Sequence, residues 1–236
     1  MYAISLTSIP PRFGHLGPVL RALLAQRPAP ARVLLAMPDR FARFPGPATP
    51  PELPDGVDLL RVPQDDGPAT KVLPAARALS GSGLSLIYCD DDWLMPPGWA
   101  ARLLEARAGD EAVAAAGFDM ARLKRRGRTL QDPEHTDVAQ GYGGVLIRPE
   151  WLAHDWCAPP DMAWPVDDIW LSACLAHQGV PIRLRRSARA GMRLAFEDAH
   201  GLQDAVIQGR ARHTANLACA AEAARRFGIW PERPPR

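Results

Sequence analysis

The sequence predicts one α/β domain built on a mostly parallel central sheet with helices on both faces, and three observations carry that prediction. Apolar runs of strand length alternate with helical periodicities through the first half of the chain. The run LSLIYC at residues 84–89 is apolar on both of its alternating faces, as a strand covered by helices on either side must be. The 236 residues, 47% hydrophobic and 23% charged, suffice for one substantial core, and no internal repeat divides them.

Taken in order, residues 2–9, 32–37, 57–62 and 84–89 read as strands. Between the first two, Leu16, Val19, Leu20, Leu23 and Leu24 follow one helical face, and Pro28 and Pro30 close that segment. In DDGPATKVLPAARAL, Val72, Leu73, Ala76 and Leu79 share a face, with Asp66 or Gly67 near the cap and Pro68 in the first turn. A helix over 97–106 follows. AVAAAGFDM and GYGGVLIRP read as strands, DDIWLSACLAHQG as a helix and VPIRLRR as a further strand. From Leu202 onward, Val206, His213, Leu217, Ala220, Ala224 and Phe227 form an apolar stripe for a closing helix, which would put His213 in the core or an interface. The domain is expected to span residues 1–230, with 231–236 as a flexible tail.

A formal net charge of +2 gives no global basic field, so nucleic acid is not an expected partner. Cys89, Cys157, Cys174 and Cys219 are far apart and include no CxxC pair, which argues for reduced thiols rather than a zinc knuckle or a disulfide framework. The first residues, MYAISLTSIPPR, carry no basic and apolar leader, and no run is long enough to span a bilayer. The expected location is the cytoplasm.

Asp90, Asp91 and Asp92 directly follow the apolar run 84–89. Three carboxylates at one point repel each other unless a cation or water relieves them, and Mn2+ or Mg2+ binds such oxygens while sharing its shell with phosphates. On an extended strand end Asp90 and Asp92 point the same way, so they are the candidate metal ligands. The competing reading is an acidic turn capping the helix over 97–106. Ligands collect at the carboxyl ends of strands in such sheets, which favours the metal.

The motifs SLTSIPPR, DGPATK, IYCDDDWLMPPGW, GYGGVLIRP and VDDIWLS, in that order and followed by FGIW, resemble bacterial glycosyltransferases of the GT-A fold, similar to family 2. The resemblance implies a metal-dependent enzyme moving a sugar from a UDP- or GDP-linked donor to a saccharide or other hydroxyl acceptor. It also implies a nucleotide-binding half over 1–93 and an acceptor-side half over 94–230. Its DxD motif falls on Asp90 and Asp92, with Asp90 and Asp91 also on the donor. Its nucleotide-binding positions fall on Thr7, Ser8, Arg12, Asp66 and Lys71, although from the residues alone Lys71 reads first as a plain exposed lysine.

The acidic pair of inverting members falls on Asp167 and Asp168. Inversion needs one base for the acceptor proton, and that role is assigned to Asp168 with Asp167 in support; the alternative is capping of a helix over 169–177. Gly143 and Gly144 would let the backbone approach donor or acceptor, or would mark a strand bulge. Trp93 and Trp164 are candidates for packing on a sugar ring. His200 in FEDAHG is a candidate third metal ligand or a surface histidine. The basic stretch 122–128 would suit an anionic acceptor or a solvated loop.

Two other readings share these features. A haloacid-dehalogenase-like phosphohydrolase also sets aspartates after an apolar strand, but with its nucleophile on the first strand and Thr or Val close behind, where this chain has Trp93 and Leu94. A non-catalytic nucleotide-sugar-binding protein would keep the metal site without processing an acceptor.

Overall fold

A computed structural model describes residues 1–107, 109–128, 133–197, 200 and 211–233. The strands are β1 (Tyr2–Thr7), β2 (Arg32–Pro38), β3 (Val57–Val62), β4 (Ser85–Tyr88), β5 (Trp93–Leu94) and β6 (Ala112–Ala114), followed by β7 (Gly117–Phe118), β8 (His135–Thr136), β9 (Val138–Ala139), β10 (Val145–Ile147), β11 (Ile182–Leu184) and β12 (Arg193–Leu194). The α-helices are α1 (Leu16–Leu24), α2 (Leu73–Leu79), α3 (Trp99–Glu105), α4 (Asp167–His177) and α5 (Arg212–Phe227).

The main sheet has eight strands in the order β3-β2-β1-β4-β10-β6-β11-β8. From β3 to β4 every pairing is parallel, and β6 pairs β11 in parallel too. β10 enters antiparallel between β4 and β6, and β8 closes the edge antiparallel to β11. The chain winds outward from β1 to β2 and β3, then returns past β1 to lay down β4. That reversal leaves a crevice beyond the carboxyl ends of β1 and β4, the place where open α/β sheets bind ligands.

Strand alternation feeds two cores. Tyr2, Ile4 and Leu6 of β1 face one layer with Ile87 and Cys89, whereas Ala3, Leu86 and Tyr88 face the other. The first layer is covered by α1 and α3, the second by α2, α4 and α5. Helix α1 buries Leu16, Val19, Leu20 and Leu23, the spacing its sequence predicts, and burial of each stabilises by roughly 2 kcal/mol. All four cysteines are buried and unpaired.

Several expected elements are shorter or differently divided. The helix expected to begin near Asp66 starts as a tight 3-10 turn over Gly67–Lys71, and the α-helix proper begins after Val72 leaves helical geometry, with Pro74 in its first turn. AVAAAGFDM splits into β6 and β7, because the chain leaves the main sheet at Ala115 and Ala116 to pair with β9. GYGGVLIRP is a strand only from Val145, preceded by a 3-10 turn at Gly141–Gly143.

His213 is exposed, and the buried face of α5 is Ala215, Cys219, Ala220 and Ala223. Small side chains let this helix pack closely on α4, with Leu217 and Phe227 partly buried beside them. Val206, the expected helix start at Leu202, and the tail from 234 lie outside the described residues. Among the described residues no helix is long and apolar enough to cross a membrane.

Candidate active site

The crevice at the ends of β1 and β4 is a cleft of about 860 Å³. Thr7 reaches it from the end of β1 and Ser8 and Arg12 from the segment after it, Lys71 from the turn before α2, and Asp90, Asp91 and Asp92 from the segment after β4. Asp167 and Asp168 reach it from the first turn of α4, and Trp93, Trp164 and His200 line it as well.

The three aspartates are dealt to three different neighbours. Asp91 is buried and accepts hydrogen bonds from Ser8 Oγ and Arg12 Nη1, so the middle carboxylate ties β4 to the segment after β1. Burial pushes its pKa up, against the pull of Arg12 and Ser8. Asp90 is more open and accepts from Lys71 Nζ at 2.6 Å. Asp92 has a buried oxygen, Oδ1, with no hydrogen-bond partner. Its pKa is pushed up to about 7, chiefly by burial and then by the charges of Asp90 and Asp91.

None of the three caps the next helix, since α3 begins after Gly98 without a side-chain cap. An orphaned buried carboxylate oxygen beside two further acids fits a hard divalent cation with oxygen ligands. Among the described residues no three His, Cys, Asp or Glu side chains are gathered as a complete metal shell. Asp90 and Asp92 would therefore supply two protein ligands and leave the other positions to phosphate and water, as Mg2+ sites often do.

Lys71 is the centre of the cleft's electrostatics. Its side chain is only 3% exposed, yet its ammonium lies 2.6 Å from Asp90 Oδ1 and 2.8 Å from Asp167 Oδ2. Burial alone would lower its pKa, but Asp167, Asp90 and Asp168 outweigh that and hold it well above the ordinary lysine value. Gly141 makes room for it, because a Cβ there would stand 2.5 Å from Lys71 Nζ. Lys71 is thus a buried lysine paired with two carboxylates, not a surface one.

Asp167 and Asp168 open α4, but neither makes a side-chain cap. Asp167 is spent on Lys71. Asp168 accepts the Gly141 N–H through Oδ1 at 2.9 Å. Burial first, and then Asp167, raise the Asp168 pKa to about 7, with Lys71 and the Gly141 bond pulling the other way. A carboxylate with that pKa gains and loses a proton near neutral pH, as a general base requires.

Trp164 closes the side of the cleft. Its Nε1 donates to the Asp65 carbonyl at 3.0 Å, and its ring lies where a Cβ on Gly67 would be, 2.6 Å away. Gly67 has φ +61, a left-handed geometry that favours glycine for a second reason. Trp93 leans on Tyr142 at 5.7 Å between ring centroids. The His200 ring packs edge-on against Phe44 at 5.8 Å, and its backbone carbonyl accepts from Arg43.

Two expectations are corrected. Asp66 does not line the cleft: it is buried below the turn, its N–H held by Thr70 Oγ1, and its neighbour Asp65 faces the cavity instead. Gly143 and Gly144 turn away from the cleft toward Trp99, whose Nε1 donates to the Gly143 carbonyl at 2.8 Å. A side chain at Gly144, where φ is +93, would overlap the Trp99 ring. The cleft-facing glycine of GYGG is Gly141.

Sequence reasoning also passed over Asp65, Tyr142, Arg189 and Arg212, all of which line the cleft. Asp65 carried a signal, as the first of the two acids before Gly67. The basic stretch 122–128 is partly committed to the fold, with Arg122 over the Phe118 ring and Arg125 on Glu232 and the Trp230 carbonyl.

No protein-family model matches the chain, and no curated protein matches it in sequence. Among solved structures it is similar to the galactosyltransferase LgtC in complex with donor and acceptor sugar analogues, at 14% identity and a TM-score of 0.40, over 65% of this chain. It is also similar to glucosyl-3-phosphoglycerate synthase from Mycobacterium tuberculosis in complex with Mn2+, uridine diphosphate and phosphoglyceric acid, at 13% identity and a TM-score of 0.46, over 77% of this chain and 66% of that one. The chain spans 60% of the length of LgtC. At these identities the likeness concerns the arrangement of secondary structure alone.

Proposed function

We propose that this chain is a glycosyltransferase that moves a sugar from a UDP- or GDP-linked donor to an acceptor hydroxyl, with inversion and with Asp168 as general base. One observation carries the reading: Lys71 bridges Asp90 beyond β4 and Asp167 on α4, so the acidic triplet and the acidic pair face one cleft. A phosphohydrolase of the aspartate-nucleophile type carries its nucleophile after its first strand, whereas here the triplet follows β4.

The donor lies along the ends of β1 and β4, beside Thr7, Ser8, Arg12 and Asp65, with the diphosphate toward Asp90 and Asp92. A bound Mn2+ or Mg2+ would absorb the negative charge that develops on the departing diphosphate. Asp92 and Asp90 are the residues placed to hold it. Asp168 takes the proton of the acceptor hydroxyl as its oxygen bonds to the anomeric carbon, while the bond from that carbon to the diphosphate oxygen breaks and the nucleoside diphosphate leaves with the electron pair. Lys71 ties Asp167 to Asp90, and so positions the two halves of the site without touching the reacting atoms. Trp164 and Trp93 supply faces for the sugars, and His200 at the rim is a candidate further ligand.

Thermal-shift measurement against UDP and GDP, each with and without Mn2+, tests the donor site, because a ligand that binds only the native state raises its melting temperature. Stabilisation by one nucleotide that requires the metal is the expected result. No shift with either would remove the reading. Transfer from the matching nucleotide sugar then separates an enzyme from a mere binder.

A further inference from the structure

The acceptor side of the cleft holds a cation that the chemistry above does not use. Arg189 ends a 3-10 turn at Arg186–Arg189, and that turn is fastened at three points. Ala188 is fully buried, Arg102 donates to the Ala190 carbonyl at 3.0 Å, and β12 just beyond pairs with β5, the strand that follows the acidic triplet. The guanidinium is therefore presented by an anchored turn.

Arg189 Nη1 donates to the Tyr142 hydroxyl at 2.6 Å, and the guanidinium lies 5.8 Å from the centre of that ring. Tyr142 follows Gly141, whose N–H holds Asp168, so the anchor of this arginine is the chain neighbour of the anchor of the base. Among the described residues Arg189 has no carboxylate partner, and its remaining N–H donors are unused. Two other cations of the cleft are paired with carboxylates, Arg12 with Asp91 and Lys71 with Asp90 and Asp167, while Arg212 is turned to the Pro165 carbonyl. An oriented but uncompensated guanidinium at the mouth of a polar cleft is built for an oxyanion.

We infer that the acceptor carries an anionic group, a phosphate or a carboxylate, which Arg189 binds while the acceptor's ring rests on Tyr142 and Trp93. The inference rests on the reading that Asp168 faces the acceptor. It narrows the acceptor from any hydroxyl compound to an anionic saccharide.

Calorimetric titration of the full chain with glucose 6-phosphate, glucuronic acid and methyl glucoside tests it, with the protein saturated with Mn2+ and its preferred nucleotide and again without nucleotide. One of the two anionic probes is expected to bind at least about tenfold more tightly than methyl glucoside, the worth of a charge-assisted hydrogen bond, and which one wins tells phosphate from carboxylate. Arg189→Gln should erase that preference and leave the melting temperature and nucleotide affinity unchanged. Equal binding of all three probes, or a preference that survives Arg189→Gln, overturns the inference. A loss of nucleotide affinity in the variant also overturns it, by giving the guanidinium to the donor diphosphate. Should wild-type protein bind no nucleotide yet keep Arg189-dependent anion binding, the transferase reading fails and the anion site stands.

Discussion

Lys71 Nζ lies 2.6 Å from Asp90 Oδ1, so a buried cation before α2 is clamped to the first carboxylate beyond β4. The same ammonium reaches Asp167 at 2.8 Å. Removing it leaves neighbouring acids repelling one another in a poorly hydrated place, where the loss of one partner of a buried pair costs about 3–5 kcal/mol. Lys71→Met is therefore expected to lower the melting temperature by roughly 10 °C for a chain of this size. Calorimetry or urea unfolding checks this, and a variant as stable as wild type would mean that water, not Lys71, balances these carboxylates.

The first half of the fold was legible because its signals are local. Leu16, Val19, Leu20 and Leu23 announce α1 by spacing alone, and an apolar strand running into three aspartates marks the ligand edge of a sheet. The role of Lys71 was not legible, because its partners stand on β4 and α4, and nothing in DGPATK says which way the side chain turns. The glycines of GYGG look equivalent in sequence, yet only Gly141 abuts Lys71 while Gly144 abuts Trp99. Arg189 was hidden by its surroundings, one arginine among several in RLRRSARAGMR, and the tyrosine that orients it comes from another part of the chain.

Asp168→Asn is expected to lower the rate of transfer by about 10²–10⁴-fold, the usual worth of a positioned base, while nucleotide and Mn2+ affinity hold. The amide still reaches the Gly141 N–H through its oxygen, so the fold is kept. Because the Asp168 pKa is about 7 and the base acts ionised, wild-type turnover should rise as pH climbs through about 7 and then level off. A profile flat from pH 5.5 to 8.5, or a variant with undiminished turnover, would move the base elsewhere.

Adjacent aspartates should fail in different ways. Asp91 is tied to Ser8 and Arg12, so Asp91→Ala is expected to cost about 3 kcal/mol of stability by stripping both donors of their acceptor. Asp92 has a buried oxygen without a partner, so Asp92→Asn should fold at least as well as wild type and lose metal-dependent nucleotide binding. Unfolding curves and titration with UDP or GDP, with and without Mn2+, separate the two effects. A destabilised Asp92→Asn that still binds nucleotide only with metal would exchange the two roles.

The pH dependence of stability follows from the same carboxyls. Asp92 and Asp168 both have pKa values raised to about 7 in the folded chain, against an ordinary value of 3.8. Between those two values the native state keeps protons that the unfolded chain has released, so stability falls as pH rises through this window, and the loss is complete above about pH 7. A divalent cation would take the place of the proton at Asp92, so stabilisation by Mn2+ should be larger at pH 8 than at pH 5. Asp92→Asn should reduce the decline to the share that Asp168 contributes and abolish the stabilisation by Mn2+. Melting temperatures from pH 4.5 to 8.5, with and without the metal, read both effects, and a metal shift of equal size at both ends would place the cation away from these carboxyls.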